Sequence, residues 1–460
     1  MFGKMIISIN ETLQRTERSN SMKKKMLSIL MAAAMLGGTM AMPVMASETD
    51  YALEDATFDN VELKLYANLS EASLAYYEEK IQEFNDSGKG ITVELTNITT
   101  EADYIDRLST DFASGDIPNV FMEYGGARCL DYMEAGALLN LEPYLDADPD
   151  WYNSIQESAW EPAKFDSYGY EGLYCIPYSN YQIVLFYNKD ILEENGVEVP
   201  TTWDELMAAC ETLKSNGVQP FVVGEKDNYR FGHLHTILSL KTYGPDIAEQ
   251  LGTREVSYDS EEMLAIYEMI KEMVDKGYLG DNLLSTDANQ ENSYFTEGKC
   301  AFQYQGSWGA SNIENSGSEL YTNQTIGVTR FPAVNEEYAM VDMGGGNDAY
   351  FVSQLNCTEE EIAASVVLLK YITSKEFVEG LQEVNPNTMS IITDYESDNY
   401  ILNEIMAIMN ETETMKSDLQ NYDSQAHMIN TVRAALQGLA MGNTPEQVGE
   451  EIITTMSQYE

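Results

Sequence analysis

The sequence predicts an α/β protein built as two lobes with a ligand cleft between them. Two observations carry this. Short apolar strands alternate with amphipathic helices from Val61 to Met122, the rhythm of a parallel sheet with right-handed crossovers. A polar, aromatic stretch, Tyr178-Ser179-Asn180-Tyr181-Gln182, then leads into the apolar run Ile183–Phe186, so one sheet ends and a second begins.

The elements follow in order. Ser47 to Asn60 is a polar lead-in. Val61-Glu62-Leu63-Lys64-Leu65 alternates as a half-buried strand does. Leu74, Tyr77, Ile81 and Phe84 recur at helical spacing, and Asp86-Ser87-Gly88 stops that helix. Ile91–Leu95 alternates again, Tyr104, Leu108 and Phe112 mark a second helix, and Asn119–Met122 is a third strand. Trp151 and Trp160 are expected to pack inside the helices and loops before Ala163, and Tyr174–Pro177 is a strand entering the crossing. Beyond it, Asn195-Gly196 stops a short helix, and Thr202 is placed to cap the helix Trp203–Lys214, whose first turn holds Asp204 and Glu205. Phe221–Val223, Phe302–Tyr304 and Tyr350–Val352 read as strands, Met263–Gly277 as a helix, and the chain to Glu460 as mostly helical.

Bulk properties narrow the function. The 460 residues carry 76 acidic and 26 basic side chains, a formal charge of −50. Nucleic acid and anionic membrane are excluded as partners, because both require a basic surface. Met22-Lys23-Lys24-Lys25, the apolar run Met26–Met42 and Val44-Met45-Ala46 have the order of a secretory signal peptide. We expect residues 22–46 to be removed, residues 1–21 to be an upstream extension, and the mature chain to be exported. Removing 1–46 takes away six basic and two acidic residues, moving the formal charge from −50 to −54. No other apolar run reaches the ~20 residues of a membrane span. The five cysteines, at 129, 175, 210, 300 and 357, show no metal spacing, and none follows the apolar leader as a lipid anchor would need.

Several patches, in this order, resemble the extracellular solute-binding proteins of ABC transporters, the carbohydrate-binding family that includes maltose-binding protein. They are Ser114-Gly115-Asp116-Ile117-Pro118-Asn119-Val120, Gly136-Ala137-Leu138-Leu139-Asn140-Leu141, and Tyr187-Asn188-Lys189-Asp190 followed by Pro200-Thr201-Thr202-Trp203-Asp204-Glu205-Leu206. Phe295–Lys299 with Gly306-Ser307-Trp308, then Phe331-Pro332, Gly344–Asn347 and Asn443–Glu446 complete the set. The resemblance implies the type II periplasmic-binding-protein-like fold with three crossings. It places residues 47–180 and 326–372 in the first lobe, and 181–325 and 373–460 in the second. It also implies a sugar or oligosaccharide ligand, closure about a hinge, and a membrane permease and ATPase as partners of a monomer, with no cofactor and no catalysis.

Sugar recognition needs flat aromatic faces for the C–H side of a pyranose and planar polar groups for its hydroxyls. Tyr66 and Tyr124, the latter followed by Gly125-Gly126, stand at strand ends where ligands of open α/β sheets sit. Tyr178 and Tyr181 lie in the crossing. Trp308 stands between small residues where strand meets helix, and Arg230 could offer its guanidinium fork. Gly346 and Asn347 belong to the glycine segment that faces the cleft in the resembling family. For each aromatic the plain alternative is core packing; for Arg230 it is a surface ion pair. His233-Leu234-His235 would put two imidazoles on one face of a strand, yet only three histidines and no fixed partner ligand are present, so no metal site is expected. No nucleophile elbow is present. A secreted polysaccharide hydrolase and a binder of peptides or polyamines remain the alternatives, the first requiring paired carboxylates in the cleft and the second a cleft lined by acids.

Overall fold

The alternation of Val61, Leu63 and Leu65 drives those side chains into a core while Glu62 stays outside, and strand β1 (Val61–Ala67) results. The computed structural model describes residues 51–53, 56–346, 348–385, 390–393, 396–423, 425 and 428–458. The expected leader and upstream extension, residues 1–46, lie outside them, as does Asn347.

Helix α1 (Glu71–Asn85) starts at Ser70, whose side chain accepts the Ser73 amide; such a cap is worth about 1 kcal/mol. Strand β2 (Ile91–Asn97), helix α2 (Glu101–Ser114), ended by the left-handed Gly115, and strand β3 (Val120–Tyr124) follow. Strand β4 (Cys175–Pro177) ends this half, and β5 (Ile183–Asn188) opens the other. Then come α3 (Trp203–Ser215), with the expected Thr202 cap as a full capping box with Glu205, α4 (Arg230–Tyr243), α5 (Ile247–Gly252) and α6 (Glu261–Asp275). They lead to β6 (Phe302–Gly306), β7 (Ile326–Arg330) and β8 (Val341–Met343). Strand β9 (Asp348–Val352), α7 (Glu359–Ile372), α8 (Lys375–Val384), α9 (Tyr400–Asn410), β10 (Thr414–Lys416), α10 (Met428–Met441) and α11 (Pro445–Met456) complete the chain.

The first sheet has the order β2-β1-β3-β9-β4, with β1 parallel to β2 and β3, and β9 inserted antiparallel between β3 and β4. The second, β6-β5-β7, is antiparallel throughout. Each sheet has its own core. Leu65, Phe121, Trp160 and Phe351 belong to the first; Leu185, Leu206, Tyr267 and Phe302 belong to the second. This is the two-lobed α/β architecture.

Several local expectations change. Tyr66 lies inside β1 rather than after it, and β3 runs on to Tyr124. Phe221 makes only an isolated bridge to Phe302, not a strand. Ile326–Arg330, expected to open the return to the first lobe, instead pairs antiparallel with Val184–Asn188 of β5. The helix after Thr373, expected in the second lobe, buries Phe377, Val378 and Leu381 in the first core, where the Phe377 ring meets Tyr76 and Tyr77 at centroid distances of 5.2 and 5.0 Å. The α8 stripe fits α1 because Gly380 leaves room for the Tyr76 hydroxyl, which a Cβ would approach to 2.3 Å. His233 and His235 stand on helix α4, where residues two apart diverge and cannot share an ion.

A buried charge cluster ties β8 to the crossing. Asp342 accepts from Lys241 Nζ and Arg330 Nη1, each at 2.7 Å, and from Gln182 Nε2 at 2.7 Å and Thr412 Oγ1 at 2.8 Å. Asp342 and Lys241 are each 1% exposed. Removing one member leaves the others charged in a low dielectric. Asp342→Ala should therefore cost about 3–5 kcal/mol in denaturant unfolding, whereas Asp116→Ala, at the exposed pair with Lys64, should barely move the midpoint. Equal small effects would show that the cluster does not hold the fold.

Candidate functional site

The site is built around the crossing between β4 and β5. This backbone leaves both sheets, so its polar groups need other partners. The Tyr178 amide donates to the Asp348 carbonyl at 3.0 Å, and the Ser179 hydroxyl to the Asp348 carboxylate at 2.9 Å. Buried Asn180 donates to Gln156 at 2.7 Å and Ser158 at 3.2 Å. The Gly345 amide donates to the Tyr181 carbonyl at 2.9 Å, and Gln182 reaches Asp342. The glycine segment thus runs against the crossing. A Cβ on Gly344 would stand 2.3 Å from the Tyr181 oxygen, and one on Gly346 2.5 Å from the Ala159 oxygen and 2.6 Å from Pro177. Gly346 is buried by this close approach.

On the first-sheet side, a cavity of about 200 Å³ opens beyond the carboxyl ends of β1 and β3. Asn68, Tyr104, Glu123, Tyr124, Tyr178 and Asp348 line it. The Arg128 guanidinium lies 4.4 Å from the Tyr124 ring centroid and 3.6 Å from the Glu123 carboxylate. Tyr178 packs against Tyr350 at 4.8 Å, and burial together with Asp348 raises its hydroxyl well above the usual range, so it remains a neutral donor. Tyr66 does not join this wall. It is 4% exposed, and its hydroxyl donates to Asp111 at 2.9 Å beside α2.

On the second-sheet side, Tyr181 and Trp308 are partly exposed with ring centroids 5.8 Å apart. The indole folds back over Gly306, where a Cβ would come within 2.1 Å of it, and touches the His233 ring edge-on at 6.2 Å. Behind this pair, Arg433 bonds Asp418 at 2.6 Å and Thr236 donates to the same carboxylate at 2.8 Å. Burial opposes the Asp418 charge, yet Arg433 holds its carboxyl below the ordinary range. Arg230 is elsewhere. It is 0% exposed, bonds Glu291 at 2.8 and 3.0 Å and Gln305 at 3.2 Å, and so has no free fork to offer a ligand. Its alternative was an ion pair at the surface; the pair exists, but in the core.

Tyr124, Tyr178, Tyr181 and Trp308 therefore flank one crossing, with Gly125 adjoining, while Tyr66 and Arg230 are withdrawn from it. Sequence reasoning did not single out Tyr104, Asp348, Asp418 or Arg433. Tyr104 had registered as part of a helical apolar stripe, and Asp348 directly follows the glycine segment, which was its only signal. Asp418 and Arg433 had none, because 15 residues separate two groups that only the fold joins.

A family model for bacterial extracellular solute-binding proteins matches residues 68–376. A putative binding protein of Brucella abortus is 24% identical over 260 residues, 56% of this chain and 60% of that protein, so the chain spans about three fifths of that relative's length. The multiple sugar-binding protein of Streptococcus mutans is 20% identical over 342 residues, 71% of this chain and 74% of that one. Among solved structures, a bacterial solute receptor described as preferring β-D-galactopyranose superposes with a TM-score of 0.73 at 20% identity, covering 87% of this chain and 97% of its own. A chitin oligosaccharide binding protein gives 0.69 at 21% identity over 87% and 99%. At these identities the likeness to solved structures shows the shared fold. No helix among the described residues is long and apolar enough to cross a membrane.

His233, against Trp308, and His235, stacked on Tyr267, set a pH dependence. Burial holds His233 down to about 3 and His235 down to about 4, so both are neutral when folded. Unfolded, each would take a proton near pH 6.5. Stability is then lost as pH falls below about 6.5. Glu225, pushed up to about 7 by burial, works in the opposite direction. His235→Gln should shrink the loss of unfolding free energy between pH 7 and pH 5 by about 2 kcal/mol; parallel pH curves for variant and parent would remove His235 from this role.

Proposed function

Because the chain belongs to the bacterial extracellular solute-binding protein family, we propose that it captures a sugar or oligosaccharide outside the cell and delivers it to an ABC permease. One observation carries the reading: aromatic rings stand on both sides of a single crossing, Tyr124 and Tyr178 on one, Tyr181 and Trp308 on the other. A pyranose between them would stack its C–H faces on these rings, with Asn68 and Asp348 within the same wall to bond its hydroxyls. Two of the charges near the rings are paired within the protein, Glu123 with Arg128 and Asp418 with Arg433, and a third, Asp348, accepts from the Ser179 hydroxyl, which suits an uncharged ligand. The sugar-binding names of relatives support the same class.

The lobes of this reading are centred on the two sheets, with the first taking back β9 and α8 and the second keeping β7. Contacts to both would bias an open–closed equilibrium toward closure. Binding without turnover, export of the chain after residue 46, and a monomer meeting its permease at the membrane belong to the same proposal. In calorimetry of residues 47–460 with the glycan that raises the melting temperature most, Trp308→Ala should weaken binding by one to a few kcal/mol, the scale of losing an aromatic anchor. Unchanged affinity would remove Trp308 from the site. Glycan cleaved during the titration would favour a hydrolase, and shifts only with peptides or polyamines would overturn the sugar.

A further inference from the structure

A second cavity, of about 170 Å³, lies next to the first and belongs to no role given so far. Consecutive residues join the two on the first-sheet wall. On the first-sheet side, Tyr124 lines one cavity and Gly125 the other. On the second-sheet side, Ser417 lines the new cavity while the neighbouring Asp418 backs the Tyr181–Trp308 pair. Burial first, then Asp418, Tyr422 of the new cavity and Asp348 of the first, keep the Tyr181 hydroxyl protonated.

The walls of this second cavity are suited to a sugar ring. Tyr168 and Tyr422 both line it, and the Tyr168 hydroxyl donates to the Tyr422 carbonyl at 3.0 Å, linking the two halves of the molecule at its edge. Gly125 keeps the floor close, since a Cβ there would stand 2.5 Å from Pro162. Lys416 is 11% exposed at its side chain and bridges Glu161 and Glu249, both in the lining. The remaining oxygens of those carboxylates can accept from hydroxyl donors.

Resting on the sugar reading above, we propose that this cavity is a distal subsite and that the ligand is an oligosaccharide of at least three units. Its rings would occupy three aromatic stations in succession: Tyr124–Tyr178, Tyr181–Trp308 and Tyr168–Tyr422. A monosaccharide fills one station and leaves the contacts joining the two halves at Tyr168 and Tyr422 unused. The excess of carboxylates over lysines in the distal wall disfavours a uronic acid there.

The test is calorimetric titration of residues 47–460 with three ladders: xylose to xylotetraose, N-acetylglucosamine to chitotetraose, and galactose, melibiose, raffinose and stachyose. In the ladder that binds, affinity should rise at least tenfold from monosaccharide to trisaccharide. Tyr422→Ala should compress the ratio of trisaccharide to disaccharide affinity to less than threefold. Tyr168→Ala, on the opposite wall, should do the same and serves if Tyr422→Ala does not fold. A monosaccharide that binds as tightly as its trimer, or variants that weaken every rung equally, would overturn the distal subsite and leave the sugar reading standing. No binding in any ladder, with binding of a peptide or spermidine, would overturn both.

Discussion

Everything at the cleft depends on one constraint: a backbone that passes between two cores must satisfy its hydrogen bonds without a sheet. In the crossing at Tyr178–Gln182 the Tyr178 amide donates to the Asp348 carbonyl, the Tyr181 amide to the Asn180 side chain, and the Tyr181 and Gln182 carbonyls accept from the Gly345 and Ser307 amides, while Gln156, Ser158 and Asp342 hold its side chains. Two strands of backbone so close together leave no space for a side chain at 344, and at 346 the Ala159 carbonyl and Pro177 exclude one in the same way. The same packing orients Tyr178 toward the first sheet and Tyr181 toward the second, three residues apart on a tethered segment. Ring positions on either side are thereby coupled to the geometry of the crossing itself.

The electrostatics separate a strongly acidic surface from an internally balanced interior. The formal charge of −50 comes mostly from exposed carboxylates, while the buried ions come in sets: Arg230 with Glu291, Lys241 and Arg330 with Asp342, Arg433 with Asp418. Such pairs contribute little net stability over apolar packing, yet losing one partner is costly, so they act as registration points. The Asp342 set bonds Gln182 of the crossing and the Asp418–Arg433 pair stands near Tyr181, whereas Arg230 and Glu291 are fully buried. Tyr181 and Trp308 stand on this support, with the Asp418–Arg433 pair behind them.

Much of the fold was legible because local pattern and final environment agree. The alternation in β1 and β2 and the stripes of α1 and α2 each reflect one buried face, and the Thr202-x-x-Glu205 signature produced its capping box. The failures share a cause, which is that long-range pairing is invisible in a local window. Ile326–Arg330 has the pattern of any short strand, and only β5, some 140 residues earlier, decides which sheet it joins. Helix α8 carries an apolar stripe whose partner, α1, is more remote still. Tyr178, Tyr181 and Trp308 stood out as aromatics beside breaks in periodicity, and the fold gathers them at one crossing. Arg230 misled because flanking aromatics look the same whether the guanidinium meets solvent or a buried Glu291, and Tyr66 because strand ends were drawn one turn of the pleat too early.

The central claim is that one ligand sits between the two sheets against the rings of the crossing. The most direct measurement is a crystal structure of residues 47–460 grown with the glycan that most raises the melting temperature. Sugar rings in van der Waals contact with Trp308 and Tyr181, and hydroxyls bonded to residues of both halves, are the expected result. A glycan bound outside the crossing, or held by one half alone with Trp308 untouched, would contradict it.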